Sequence, residues 1–165
     1  MNDALRPVRT PTNPRHYSFG GTAAVVTSVG LIVGLGAAAV SKATIVSGLL
    51  IIAVADNVSD SLSIHVYQES ENLESSAAFR ATLTNFVARF IVAMSFVALV
   101  LLVPPSAVAG ASLAWGILLL GALTYGVARR RNVSPGREML KHVVVALAVI
   151  AVSRVLGGWI SEHVR

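Results

Sequence analysis

Five apolar stretches, each close to the roughly 20 residues that cross the hydrocarbon of a bilayer as a helix, follow one another along this chain with short polar breaks between them. They run at about 19–40, 44–66, 82–103, 107–128 and 139–160. Inside lipid every backbone N–H and C=O must be satisfied within the segment, which leaves the helix as the structure for such stretches. The expected fold is therefore all-α, a polytopic membrane bundle of about five transmembrane helices. Composition agrees, because 55% of the 165 residues are apolar and 13% are charged, more apolar surface than one water-soluble core of this size can hide.

The charged residues gather between the apolar stretches, as the loops of a helical membrane protein require. Arg6, Arg9 and Arg15 precede the first stretch, while little more than Ser41 and Lys42 separates it from the second. Positive charge marks the cytoplasmic side, so the N-terminus is expected in the cytoplasm. Counting onward, the acidic loop from Glu69 to Arg80 falls inside, the Pro104-Pro105-Ser106 turn outside, and the Arg129-Arg130-Arg131 run inside again. Residues 1–18, with Pro7, Pro11 and Pro14 among polar neighbours, read as a disordered leader. Ala37-Ala38-Ala39 also fits a peptidase site, which leaves a cleaved signal peptide as a rival reading of the first stretch. The fifth stretch has a start signal, Ser134 as N-cap and Pro135 at the first helical position. The short tail without an organelle address points to a prokaryotic plasma membrane.

The net charge of +5 is thus a topology signal. No basic helix face or aromatic-basic interleaving marks a nucleic-acid partner. The chain has no cysteine, which removes disulfides and thiolate metal sites. No His or Ser stands with a base and an orienting partner at usable spacing, so the chain does not read as an enzyme. No tightly bound cofactor is called for.

The second stretch is far too polar for a passive anchor. On an insertion scale Asp56 and Asp60 cost about 5 to 7 kcal/mol, and its Leu, Ile and Val residues return only a similar amount. At about 100° per residue, Asp56, Ser59, Asp60, Ser63, Tyr67, Ser70, Glu71 and Glu74 share one stripe from mid-membrane to the following loop. Carboxylate and hydroxyl oxygens suit hard or borderline divalent cations and also relay protons, so one reading is a cation route with Asp56, Asp60, Ser63, Tyr67, Glu71 and Glu74 as the metal-facing set. The other reading is an interhelical seam. Counting about 1.5 Å per residue from the helix ends, Arg89 lies at the depth of Asp60 and Arg154 at that of Asp56, which predicts two Asp–Arg pairs. His65 and Glu69, four apart, point away from the stripe and read as interfacial. Met94 reads as packing. Gly30 and Gly34 form a GxxxG pair, which favours close helix packing or dimerisation.

The order of elements resembles the vacuolar iron transporter (VIT) family of ferrous iron and manganese carriers. The likeness lies in Thr27-Ser28-Val29-Gly30-Leu31-Ile32-Val33-Gly34-Leu35-Gly36-Ala37, a very short turn, and a long polar second helix with Ser61-Leu62-Ser63 and Tyr67. It continues in Leu119-Leu120-Gly121-Ala122-Leu123, a basic linker and a fifth helix ending in Gly157-Gly158. The resemblance implies five transmembrane helices, a homodimer with its path between subunits, and exchange of Fe²⁺ or Mn²⁺ for protons. The chain departs from the family where an intramembrane aspartate precedes glycine on the first helix, here Ala23-Ala24, and where a methionine and a glutamate precede the tyrosine, here Leu62 and Val66. The family's large metal-collecting insert between the second and third spans is reduced to a short loop. Two expectations follow: a VIT-like secondary transporter with its carboxylates relocated to Asp56 and Asp60, or a non-transporting membrane scaffold or partner-binding protein on the same fold with Asp–Arg pairs in place of the metal site.

Overall fold

A computed structural model describes residues 15–70, 75–131 and 133–164. It contains five long helices: α1 (Arg15–Ala37), α2 (Lys42–Ser70), α3 (Ser75–Leu102), α4 (Val108–Arg131) and α5 (Pro135–His163), with one 3₁₀ turn at Pro105–Ala107. No strand occurs among the described residues. All five helices are long and apolar enough to cross a membrane. The longest, α2 and α5, have 29 residues each, about 43 Å at 1.5 Å per residue, against roughly 30 Å of hydrocarbon. Large apolar side chains such as Ile51, Leu62, Ile91, Leu102, Val155 and Leu156 face outward. Water would not tolerate so continuous an apolar exterior, whereas lipid does. The chain is an integral membrane protein.

Two helices run past their expected ends. α2 continues to Ser70 and α3 begins at Ser75, so most of the acidic link expected from Glu69 to Arg80 is helix, and only residues 71–74 lie outside the described part. No proline or glycine interrupts either side of this link, so nothing local stops the helices at the apolar boundary. Likewise α1 starts at Arg15, inside the expected leader, whose residues 1–14 lie outside the described part.

Helix ends elsewhere have local causes. α3 stops before Pro104-Pro105, because a residue preceding proline is pushed out of the α region. The last carbonyls of that helix lack intrahelical donors, and Lys42 reaches across to supply them: its Nζ donates to the Leu101 and Val103 carbonyl oxygens, each at 3.0 Å. One lysine therefore ties the α1–α2 turn to the end of α3. The turn itself places Ala39 in the left-handed region, φ 55°. At α5, Ser134 occupies the N-cap position with Pro135 following, but its hydroxyl makes no cap bond. The start was readable; the expected side-chain contact is absent.

α1 is the central helix, with α3, α4 and α5 packed around it and α2 lying mainly on α3. Its Val25, Val29, Ile32 and Val33 are buried with Leu49, Phe96 and Val100. Lipid tails are as apolar as leucine, so helices in a bilayer associate by close packing rather than by escape from water, and small residues mark where they do. Gly30 and Gly34 face α5: a Cβ on Gly30 would lie 3.2 Å from Ser153 Oγ, and one on Gly34 would lie 3.2 Å from the Ser153 carbonyl oxygen. From the other side, a Cβ on Gly157 would collide with the Gly34 carbonyl. The GxxxG pair is therefore used within the chain, against Ser153 and Gly157.

This contact separates two neighbouring glycines. Gly157→Ala must push α5 off α1 and should cost about 1–3 kcal/mol. Gly158→Ala, with nothing within 4 Å of the added methyl, should range from neutral to about 1 kcal/mol stabilising. Thermal unfolding of the two variants in one detergent should rank them in that order; equal midpoints would show that the backbones do not meet at Gly34.

Candidate functional site

The most unusual residue of the bundle is Arg89, a permanently charged side chain only 3% exposed on the mainly apolar helix α3. Its guanidinium makes three bonds, all to α2. Nε donates to Asn57 Oδ1 at 2.7 Å, Nη1 to Asp60 Oδ2 at 2.8 Å and Nη2 to Asp56 Oδ2 at 2.5 Å. Asp56, Asn57 and Asp60 can converge because they lie within one turn or so of a single helix. α1 leaves room for the arginine stem by presenting Gly20, where a Cβ would lie 3.0 Å from Arg89 Cγ and collide with Asn85 Oδ1. A small crevice among α1, α2 and α3 reaches the centre, lined by Thr27, Ser28, Asp56, Asn57, Arg89 and Ala93.

The charges do not balance. Two carboxylates share one guanidinium, which leaves the centre at −1 when both acids are ionised. The arginine is enclosed, but the side chains of Asp56 and Asp60 remain 47% and 33% exposed on the outer side of α2. Both engage Arg89 through Oδ2. A proton, or a cation that replaces one of these contacts, would bring the centre to or above neutrality.

Of the two predicted ion pairs, Asp60–Arg89 is present and Asp56–Arg154 is not. Asp56 also turns to Arg89, while Arg154 is exposed on α5. The reason is helix order: α5 packs on α1 and α4, whereas α2 packs chiefly on α3, so equal depth does not bring Arg154 within reach. The rest of the predicted metal-facing stripe does not converge. Ser63 is exposed and its hydroxyl donates to the Ser59 carbonyl at 2.9 Å, and Tyr67 is 65% exposed. Glu71 and Glu74 lie outside the described residues. Among the described residues no three His, Cys, Asp or Glu side chains gather as a metal would need. His65 and Glu69 pair with each other at 3.3 Å, and Met94 packs against the core.

Sequence reading missed Asn57, Asn85 and Gly20. Asn57 sits one position from Asp56, about 100° off the aspartate stripe, and so faces α3 rather than the stripe. Compared with known protein families, with curated proteins and with solved structures, the chain matches none.

The charge count gives an asymmetric expectation. Asp56→Asn or Asp60→Asn leaves a neutral Asp–Arg pair and should change stability by less than about 1 kcal/mol, whereas Arg89→Met leaves two adjacent carboxylates and should cost about 3–5 kcal/mol. Chemical denaturation in one detergent would compare them, and equal losses in all three variants would contradict the arrangement.

Proposed function

We propose that this protein is a VIT-like secondary transporter that moves a divalent cation, Fe²⁺ or Mn²⁺, against protons, with Asp56 and Asp60 as the groups that bind and release it. The observation that carries this reading is the unbalanced centre: two intramembrane carboxylates one turn apart, held by a single arginine and still half-open. Ionisable residues at such depth are costly and mark ion or proton pathways by default. Carboxylate oxygens are the donors that hard and borderline divalent ions prefer. Arg89 acts as a tethered counter-ion. It holds the carboxylates when no cargo is bound, and an entering cation must compete with it for Asp56 and Asp60. A proton can do the same, which gives the exchange its coupling.

Assembly as a homodimer completes the reading. Asp56, Ser59, Ser63 and Tyr67 are exposed on the outer face of α2, where a second copy would remove polar surface from lipid and bring its own aspartates to the same place. The basic segments at one end of the bundle, Arg80 and Arg129 among them, support that end as the cytoplasmic one.

A second reading, a non-transporting membrane scaffold, is favoured by the completeness of the Arg89 contacts: three guanidinium nitrogens are engaged and both aspartates are held. Flux separates the two. Purified protein in proteoliposomes should take up Mn²⁺ or Fe²⁺ under an imposed proton gradient, and Asp56→Asn or Asp60→Asn should abolish uptake while leaving the fold intact. Absence of gradient-dependent flux from folded, correctly inserted wild type would favour the scaffold.

A further inference from the structure

A second series of polar side chains runs along the α2–α3 seam, apart from the two aspartates. On α2, Asn57, Ser61, His65 and Glu69 recur every four residues, the spacing that stacks side chains on one face. On α3, Thr82, Asn85 and Arg89 recur at three and four. The helices run in opposite directions, so the two series form rungs. Arg89 bonds Asn57 at one end, and His65 Nδ1 lies 3.5 Å from Thr82 Oγ1 at the other. Ser61 and Asn85 occupy the turn between, about 6 Å from each rung at 1.5 Å per residue.

These middle groups are enclosed and unsatisfied by protein. Asn85 is fully buried, Asn57 is 2% exposed and Ser61 is 5% exposed. Asn57 Nδ2, Ser61 Oγ and both polar atoms of Asn85 have no hydrogen-bond partner in the chain. Each such group left bare costs about 1–3 kcal/mol, and the surrounding hydrocarbon offers no relief. The set contains amide donors, an amide acceptor and a hydroxyl, with no net charge of its own. That mixture suits water, which donates and accepts equally, better than an ion of either sign. α1 closes that side with the backbone of Gly20, so near Asn85 Oδ1 that an added Cβ would collide with it.

The series is closed at one end only. Beyond Asn57 and Arg89 lies the small crevice that Ala53, Ala93, Thr27 and Ser28 line, and past it the seam is shut by Leu49 and Phe96, both fully buried and apolar. At the other end His65 and Glu69 are 28% and 53% exposed near the end of α2. We propose that the α2–α3 seam holds a chain of water molecules, open at the His65–Glu69 end and stopped by Leu49 and Phe96, that connects the Arg89 centre to the face from which α1 starts. Transport gives the water a use, as a proton path to one side, but hydration can be measured whether or not cargo moves.

The absence of native cysteine makes the test direct. Single variants Ser61→Cys and Leu49→Cys are placed in sealed membrane vesicles. Ser134→Cys, in the exposed α4–α5 link, marks the proposed open side, and Ser41→Cys, exposed in the α1–α2 turn, marks the opposite one. Silver ion, small enough to follow water, is added to one side, and the thiol left free is counted with a maleimide after denaturation. Ser61→Cys should be captured from the Ser134 side at least about tenfold faster than Leu49→Cys, which is reached only by local opening of packed helices. Silver added on the Ser41 side should leave Ser61→Cys unreacted. Capture of Ser61→Cys as slow as that of Leu49→Cys, or equally fast from both sides, would overturn the proposal. Because serine and cysteine differ little in size, folding of the variant is expected, and reaction of the denatured thiol checks that the cysteine is present.

Discussion

The bundle is organised around the problem of enclosing one guanidinium in a membrane. Arginine keeps its charge under any physiological condition, and an unpaired charge in hydrocarbon costs several kcal/mol at least. Arg89 is therefore tolerable only where partners surround it, and α2 supplies all three: Asp56, Asn57 and Asp60. This requirement fixes the register of α2 on α3, because a slip of one turn along either helix would separate the arginine from its acids by about 5 Å. It also explains why so polar a helix as α2 can be stable in the bilayer. Its acids are held by Arg89, and the rest of its length presents Ile51, Val54, Val58 and Leu62 to lipid.

The other helices hold by a different physics. α1 packs by closeness, with Gly20 making room at the arginine and Gly30 and Gly34 meeting Ser153 and Gly157 of α5. Smaller polar ties supplement this, such as Trp115 Nε1 donating to Ser95 Oγ at 3.0 Å between α4 and α3, and Lys42 on the end of α3. The result is an uneven molecule. One side, α1 with α4 and α5, is small-residue packing with a largely apolar interior in which Ser28, Ser112 and Thr124 are also buried. The α2–α3 side carries almost all the intramembrane charge, and any ion chemistry belongs there.

What the sequence disclosed follows from what one dimension can hold. Segment length and apolarity gave the five helices, because a bilayer allows few alternatives. Depth was also readable: counting along the helices matched Arg89 to Asp60, and the two meet at 2.8 Å. The same count matched Arg154 to Asp56 and failed, since depth says nothing about which helices are neighbours. The aspartate stripe divides in space, Asp56 and Asp60 turning to Arg89 while Ser63 and Tyr67 stay outside, and its Glu71 and Glu74 lie outside the described residues. Asn57 and Ser61 were masked by the louder signal of the acids beside them. Their four-residue recurrence with His65 and Glu69 was present in the sequence, and only the position of α3 shows what it faces.

The central claim is that Arg89, Asp56 and Asp60 form one energetic unit, and a mutant cycle on stability tests it most directly. Wild type, Arg89→Met, Asp56→Asn with Asp60→Asn, and the triple variant would be unfolded by denaturant in the same detergent. If the three form a unit, the triple variant should recover most of the stability lost in Arg89→Met and lose far less than the sum of the other two. A triple variant whose loss equals the sum of the other two would mean that the charges stand independently, contradicting the centre described here.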